Sequence, residues 1–295
     1  MKKINKLITS YLNQLQENWI IGKQLREFKK APDDFLSSKV EGKTKIKNLV
    51  AELKSFDIPV QFSFIDLKDF KIWMKKFPKL VDFYDVVGHF KIEKILEHYI
   101  SMKYLNIKKS DLIIDVAASS SPFAKILHQK KYNAYSQDLI YQTGIHNRMI
   151  GGSAGNLPLK NDSVDVMTLH CAFECFQGDS DINVIKEAQR VLKQRGRIGI
   201  IPLYLDEVYF VKTGPMSNKT KIKIEKNVRL IWRDDEFQKE PFSRHYSPHA
   251  FKYRILQNIK KLKYKIIFFE NLNEIKKQFP DQKIYCHFLF KAVKN

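Results

Sequence analysis

From Asp111 onward, short apolar runs alternate with helical patterns, the rhythm of β-α units that build a mostly parallel sheet. Runs near 112–117, 133–137, 148–152, 164–169 and 196–203 read as strands, and 122–130 and 181–194 as helices between them. In the second helix Ile182, Val184, Ile185, Ala188, Val191 and Leu192 fall at helical spacing. Asp179, Ser180 or Asp181 can cap its start, and Gly196 its end. The first hundred residues lack this alternation. Leu7, Ile8, Tyr11, Leu12 and Leu15 recur at helical spacing, as do Phe90, Ile92, Ile95, Leu96 and Tyr99, so residues 1–84 read as a mainly helical N-terminal region that could serve as a lid. After Pro202 the mixture of β-branched and charged residues over 206–245 predicts an inserted lid or hairpin. Ser247 and Pro248 open a helix over 247–259, and 264–269 and 284–290 read as closing strands.

Composition narrows the class. With 295 residues, 44% of them hydrophobic, the chain can bury a sizeable core. No run of about 18 apolar residues is present, so no bilayer span is expected. The N-terminal apolar stretch is broken by Thr9, Ser10, Asn13 and Gln14 and does not read as a signal peptide. Three cysteines give no disulfide framework and point to the cytoplasm. The net charge of +20 would suggest nucleic acid or an anionic membrane surface. Its distribution tempers that: residues 1–110 carry 22 Lys+Arg against 13 Asp+Glu, residues 111–205 carry 10 against 9, and residues 206–295 carry 20 against 10. A lysine-rich solvated surface is the simpler reading, with peripheral membrane contact or nucleic acid as alternatives.

The nearly neutral middle holds the candidate chemistry. Residues 112–127 form an apolar strand ending on Asp115, a run of small residues through Ser121, and a helix opening at Pro122. Such a layout presents backbone N–H groups and a helix N-terminus to a polar ligand at the carboxyl edge of a sheet. Asp138 ends the next strand, and the run Gly152-Ser153-Ala154-Gly155-Asn156-Leu157-Pro158 precedes the fourth. That strand leaves the sheet at Leu169-His170-Cys171-Ala172-Phe173-Glu174, and Glu187-Ala188-Gln189-Arg190-Val191-Leu192-Lys193 follows.

In this order the segments resemble the class I S-adenosylmethionine-dependent methyltransferases, most closely the methyltransferase type 11 group, well over residues 85–204 and loosely over 245–292. The resemblance implies an α/β, Rossmann-like, doubly wound and mostly parallel seven-stranded sheet with an antiparallel last strand. It would fill a domain over 85–295 interrupted by the insertion at 206–245. It implies S-adenosyl-L-methionine as cofactor, with Asp115, Ala117, Ser119, Asp138, Leu139, Ser153, Ala154 and His170 around it. Ala117 and Ser119 stand where the family carries glycines, and glycine accepts positive φ that a Cβ resists by about 1–2 kcal/mol. Asp138 would accept from both ribose hydroxyls, and Ser153 replaces the acid that meets the adenine amino group in relatives. Glu187 and Arg190 belong to a segment read as structural.

Methyl transfer from an activated sulfonium needs mainly orientation, and an oxygen acceptor needs a base. His170 is the first candidate, followed by Glu174 and His245. His170, Cys171 and Cys175 share one short turn without a second cluster, so no metal site is expected. The acceptor is read as a small molecule, lipid or sugar intermediate. Two alternatives are a catalytically degenerate fold serving as a binding or scaffold protein, and a nucleic-acid methyltransferase prompted by charge and aromatics such as Trp73 and Tyr246.

Overall fold

The computed structural model describes residues 40–214, 222, 224, 225, 228–232 and 242–295. The helical repeat from Leu7 to Leu15 and much of the lid insertion, at 215–221 and 233–241, lie outside the described residues.

Three strands at the centre are buried on both faces: β2 (Leu112–Val116), β5 (Val164–His170) and β6 (Leu192–Ile201). Near-continuous Ile, Val and Leu runs produce this pattern in a parallel sheet covered by helices on both sides. β3 (Asn133–His146) and β4 (Met149–Gly151) extend the sheet on one side. β11 (Phe288–Lys294), β10 (Leu262–Phe269) and β1 (Val60–Ser63) extend it on the other, giving the order β1-β10-β11-β6-β5-β2-β3-β4. β11 runs antiparallel to its neighbours β10 and β6. β2 lies between β3 and β5, so the chain reverses its direction of travel across the sheet there. The carboxyl ends of β2 and β5 form the switch point at which open α/β sheets bind ligands.

The mostly parallel, doubly wound architecture follows the expectation, but among the described residues the sheet has eight strands rather than seven. The addition, β1, comes from the N-terminal region and pairs in parallel with β10 from Val60↔Ile266 to Ser63↔Phe269. At four residues, half-buried or exposed throughout, it leaves little apolar alternation to read. The closing strand also falls later than 284–290, because Ile284, Tyr285 and Cys286 are buried without joining the ladder. The run near 148–152 is one arm of a hairpin. Residues 143–146 of β3 fold back on β4 around Asn147 and Arg148, both at positive φ (48° and 64°), as a tight two-residue hairpin turn requires.

N-terminal residues supply both faces of the core. Leu49 and Leu53 of α1 (Val40–Ser55) join one apolar cluster with Val116, Leu169 and Ile200. On the other face, α2 (Leu67–Lys76), α3 (Pro78–Phe83) and α4 (Lys91–Tyr104) pack with α5 (Phe123–Gln129) and α8 (Leu272–Gln278). Within the insertion, β7 (Phe210–Thr213), β8 (Arg229–Trp232) and β9 (Ser243–His245) make a small second sheet, ordered β8-β7-β9. α7 (Pro248–Arg254) follows, with Ser247 Oγ accepting from Ala250 N at 3.1 Å as its cap.

α6 (Ser180–Val191) ends earlier than its apolar spacing suggests, and Gly196 does not close it. Gly196 sits within β6, where a Cβ would lie 2.8 Å from the Lys193 carbonyl oxygen. The carboxyl end of the helix is held by Lys294, whose buried Nζ donates to the carbonyls of Gln189 (2.6 Å) and Leu192 (2.7 Å) and meets Asp162 Oδ1 at 2.7 Å. A cation there satisfies terminal carbonyls and complements the helix dipole. Lys294→Met should therefore cost about 1–3 kcal/mol in urea denaturation, since the carbonyls stay buried without donors.

Candidate functional site

The site is built outward from Asp115. Its carboxylate is 1% exposed at the end of β2, opposite Thr168 in the ladder. Oδ1 accepts from Thr168 Oγ1 at 3.0 Å and meets His170 Nδ1 at 2.9 Å, while Oδ2 has no partner. Thr168 and His170 are two residues apart on β5 and so share a face. The second ring nitrogen of His170 meets Ser101 Oγ of α4 at 2.8 Å. His170 thus ties α4, β2 and β5 together and keeps neither nitrogen free.

The turn after Asp115 adopts the backbone that the family's glycines would supply. Ala117 has φ 52° and Ser119 φ 46°. Side chains carry a penalty there of about 1–2 kcal/mol each, so the surroundings must hold them in place. The end of β3 does so. Gln137 Oε1 accepts from Ala117 N at 3.2 Å and the Gln137 carbonyl from Ala118 N at 2.9 Å. Asp138 Oδ2 accepts from Ser119 N at 2.7 Å and Oδ1 from Ile140 N at 3.1 Å, while Tyr141 OH donates to the Ser119 carbonyl at 2.5 Å. Ala117→Gly should accordingly raise stability by about 0.5–1 kcal/mol in a denaturant titration, net of the greater unfolded-state freedom of glycine.

Gln137 links this turn to the next. Its Nε2 donates to the Gly152 carbonyl at 2.6 Å, and Gly152 N donates to the Asp138 carbonyl at 3.2 Å. Ser153 Oγ accepts from Gly155 N at 3.2 Å, closing its own turn, and Ala154 is buried beside it. The Leu157-Pro158 turn is fixed by α6. Leu157 N donates to Glu187 Oε1 at 2.6 Å, and Arg190 donates to the carbonyls of Leu157 (3.1 Å) and Leu159 (2.8 Å). Leu139 lies 75% exposed beside Asp138.

The remaining sequence candidates form a second group next to the first. Cys171 follows His170 with φ 47°; its Sγ donates to Glu174 Oε1 at 3.2 Å and lies 3.5 Å from Tyr204 OH. The Tyr204 ring meets His245 edge-on at 4.9 Å, and His245 stacks on Phe210 at 4.5 Å. Burial raises the Glu174 carboxyl above its usual range. Burial, with Lys212 nearby, holds His245 well below the usual imidazole range, so its ring is neutral, and its Nδ1 has no partner. Among the described residues no group of His, Cys, Asp or Glu is arranged to hold a metal ion, and no helix is long and apolar enough to cross a membrane.

Sequence reasoning missed the contribution of α4. Glu93, Glu97, His98 and Ser101 are all buried against this edge. Burial pushes the carboxyl of Glu93 up to about 7 and that of Glu97 up to about 8, offset in part by Lys94. A carboxyl raised on folding favours the folded state below its unfolded pKa, and that contribution is lost as pH rises through the folded value. The unfolding free energy should therefore gain relative to Glu93→Gln as pH falls from 8.5 to 5, a trend readable from urea midpoints at each pH.

Residues 114–200 match the family model for a methyltransferase domain. The matched segment runs from β2 to β6 and contains the switch point of the sheet. Among solved structures, similarity extends to the 1,6-didemethyltoxoflavin-N1-methyltransferase of Burkholderia thailandensis, at 12% identity and TM-score 0.46, covering 80% of this chain and 94% of that one. It extends also to the YcgJ protein of Bacillus subtilis, at 16% identity and TM-score 0.42, covering 68% and 98%. An S-adenosylmethionine-dependent methyltransferase of Mesorhizobium loti shares 12% identity at TM-score 0.43, covering 67% and 98%. No curated protein matches the sequence.

Proposed function

We propose that the protein transfers the methyl group of S-adenosylmethionine to a small-molecule acceptor bound between β5, α4 and the insertion. The observation that carries this reading is the turn at Ala117 and Ser119. It keeps left-handed backbone without glycine because Gln137 and Asp138 hold it, so the cradle survives the loss of the residues that usually make it. The residues fit the cofactor. Each oxygen of Asp138 accepts one backbone N–H and retains acceptor capacity for a ribose hydroxyl. The unpartnered Asp115 Oδ2 calls for a donor. Leu139 can lie along the adenine, and Ser153 and Ala154 stand on the adjoining turn.

When bound, the sulfonium supplies an already activated methyl group. The chain's own residues then orient the acceptor and take its proton. His170 is committed on both ring nitrogens, so its role is to position Asp115 and the end of β5. Of the sequence-derived base candidates, His245 and Glu174 keep an unpartnered atom, Nδ1 and Oε2, and are proposed as alternative bases. Calorimetric titration with S-adenosylmethionine and S-adenosylhomocysteine tests the reading. Micromolar binding, followed by methyl transfer in a screen of small-molecule acceptors, is the expected result. Absence of binding at millimolar ligand would leave a scaffold with a vestigial site instead.

A further inference from the structure

At the amino ends of β2 and β6, across the sheet from the cofactor turn, lies a cavity of about 300 Å³. Lys108, Arg195, Arg197 and Lys291 line it against a single carboxylate, Asp111. That carboxylate is already committed. Arg197 Nη2 meets its Oδ2 at 2.5 Å, and Lys108 N donates to the same oxygen at 2.7 Å. Arg197 Nε donates to the Leu105 carbonyl at 2.6 Å, which fixes this arginine in the cavity wall. Among the described residues no carboxylate pairs with the side chains of Lys108, Arg195 or Lys291.

Lys291 is half-buried, and its Nζ donates to the Tyr104 carbonyl at 2.6 Å. Lys265 stands directly opposite it in the β10–β11 ladder, a like-charge pairing that destabilises antiparallel strands. Arg197 projects from the same face of the sheet, because it pairs with Val293, two residues beyond Lys291. Burial, then Lys265 and Arg197, hold the Lys291 ammonium below its ordinary range. Other buried cations of this chain meet carboxylates, as Lys294 meets Asp162 and Arg244 meets Asp181. This cluster is completed only by an anion from outside the chain.

Chemistry selects the anion. A carboxylate brings one charge and two oxygens, whereas a diphosphate brings several of each and can accept from lysine and arginine donors on different walls. Leu105 and Val293 supply the apolar lining, and no aromatic ring lines the cavity for a nucleic-acid base to stack on. We propose that this cavity binds a diphosphate group through Lys291, Arg195 and Lys108, at a site separate from the methyl-transfer centre. The group can come from free pyrophosphate or from a nucleoside diphosphate.

The full chain can be titrated calorimetrically at fixed ionic strength with pyrophosphate, ADP and a single-stranded oligonucleotide. Pyrophosphate should bind saturably at one site, and about tenfold more weakly in both Lys291→Gln and Arg195→Gln. Lys75→Gln, on α2, should change its affinity by less than about twofold, as should saturating S-adenosylhomocysteine. ADP binding as tightly as pyrophosphate, with the same sensitivity to Lys291→Gln, assigns the nucleotide as source; ADP binding more weakly assigns the free anion. Lys291→Gln should also leave the urea midpoint unchanged or raised without ligand, since it relieves the repulsion from Lys265. Failure of pyrophosphate to saturate would overturn the proposal, and oligonucleotide binding in that case would make this face a nucleic-acid surface instead. Equal losses in all three variants would overturn it as non-specific charge attraction, and displacement by S-adenosylhomocysteine would overturn it by placing pyrophosphate in the cofactor cradle.

Discussion

Asp138→Ala is expected to weaken S-adenosylhomocysteine binding by about 2–3 kcal/mol, roughly 30- to 150-fold. Two losses combine. The proposed contact of the carboxylate with the ribose is removed, and Ser119 N loses its 2.7 Å acceptor, freeing the turn to relax from φ 46°. Asp138→Asn separates them: its amide oxygen can still accept from Ser119 N while the charge is gone, so it should fall between the wild type and Asp138→Ala. Global stability should move little, since Asp138 is not part of the buried core. Titration calorimetry alongside urea denaturation reads both quantities. Unchanged affinity in a folded Asp138→Ala protein would remove this residue from the site.

The largest effect on stability should come from Asp181. Its carboxylate is fully buried and binds Arg244 Nη1 at 2.7 Å, Arg254 Nε at 2.7 Å and Nη2 at 2.8 Å, and Tyr246 OH at 2.5 Å. Arg244 is itself fully buried. Removing one partner of such a pair leaves an uncompensated charge in the interior, which typically costs 3–5 kcal/mol. Asp181→Ala should therefore lower the unfolding free energy by about that amount, a large share of the roughly 5–15 kcal/mol typical of a folded domain. Arg244 also donates to the carbonyls of Phe176 (2.6 Å) and Gly178 (2.9 Å) and pairs with Glu225 of the insertion. The variant should consequently loosen the segment after β5 together with the insertion, giving faster amide exchange over 172–180 and 243–247 than in the central strands. A loss below 1 kcal/mol would mean the arginines find other partners.

What the sequence discloses follows burial. β2, β5 and β6 are covered on both faces, and their continuous apolar runs announce them. β1 is short and half-exposed, and its place in the sheet depends on a partner some two hundred positions away. The strand-turn-helix layout after Leu112, with Asp115 and Asp138 at strand ends, is legible from the order of residues even though alanine and serine occupy the positive-φ positions. The part played by α4 is not. Ile92, Ile95, Leu96 and Tyr99 mark one apolar stripe, which leaves Glu93 and Glu97 looking like solvent-facing positions. The structure buries them because the segment before β11 covers that side, with Tyr285 N donating to Glu93 Oε2 at 2.8 Å. Such a contact spans most of the chain and leaves no periodicity to read.

The restrained backbone at Ala117 and Ser119 has an implication for how this protein would fail. Both residues have lower-energy conformations available, each about 1–2 kcal/mol downhill once their restraints are released. The cradle is cocked, and Gln137 and Asp138 are its catches. Damage at the tip of β3 would discharge that local energy without touching the core, giving molecules that are well folded yet unable to hold ligand. Damage at Asp181 would do the reverse. Ligand competence and thermal endurance should thus drift independently among variants of this chain.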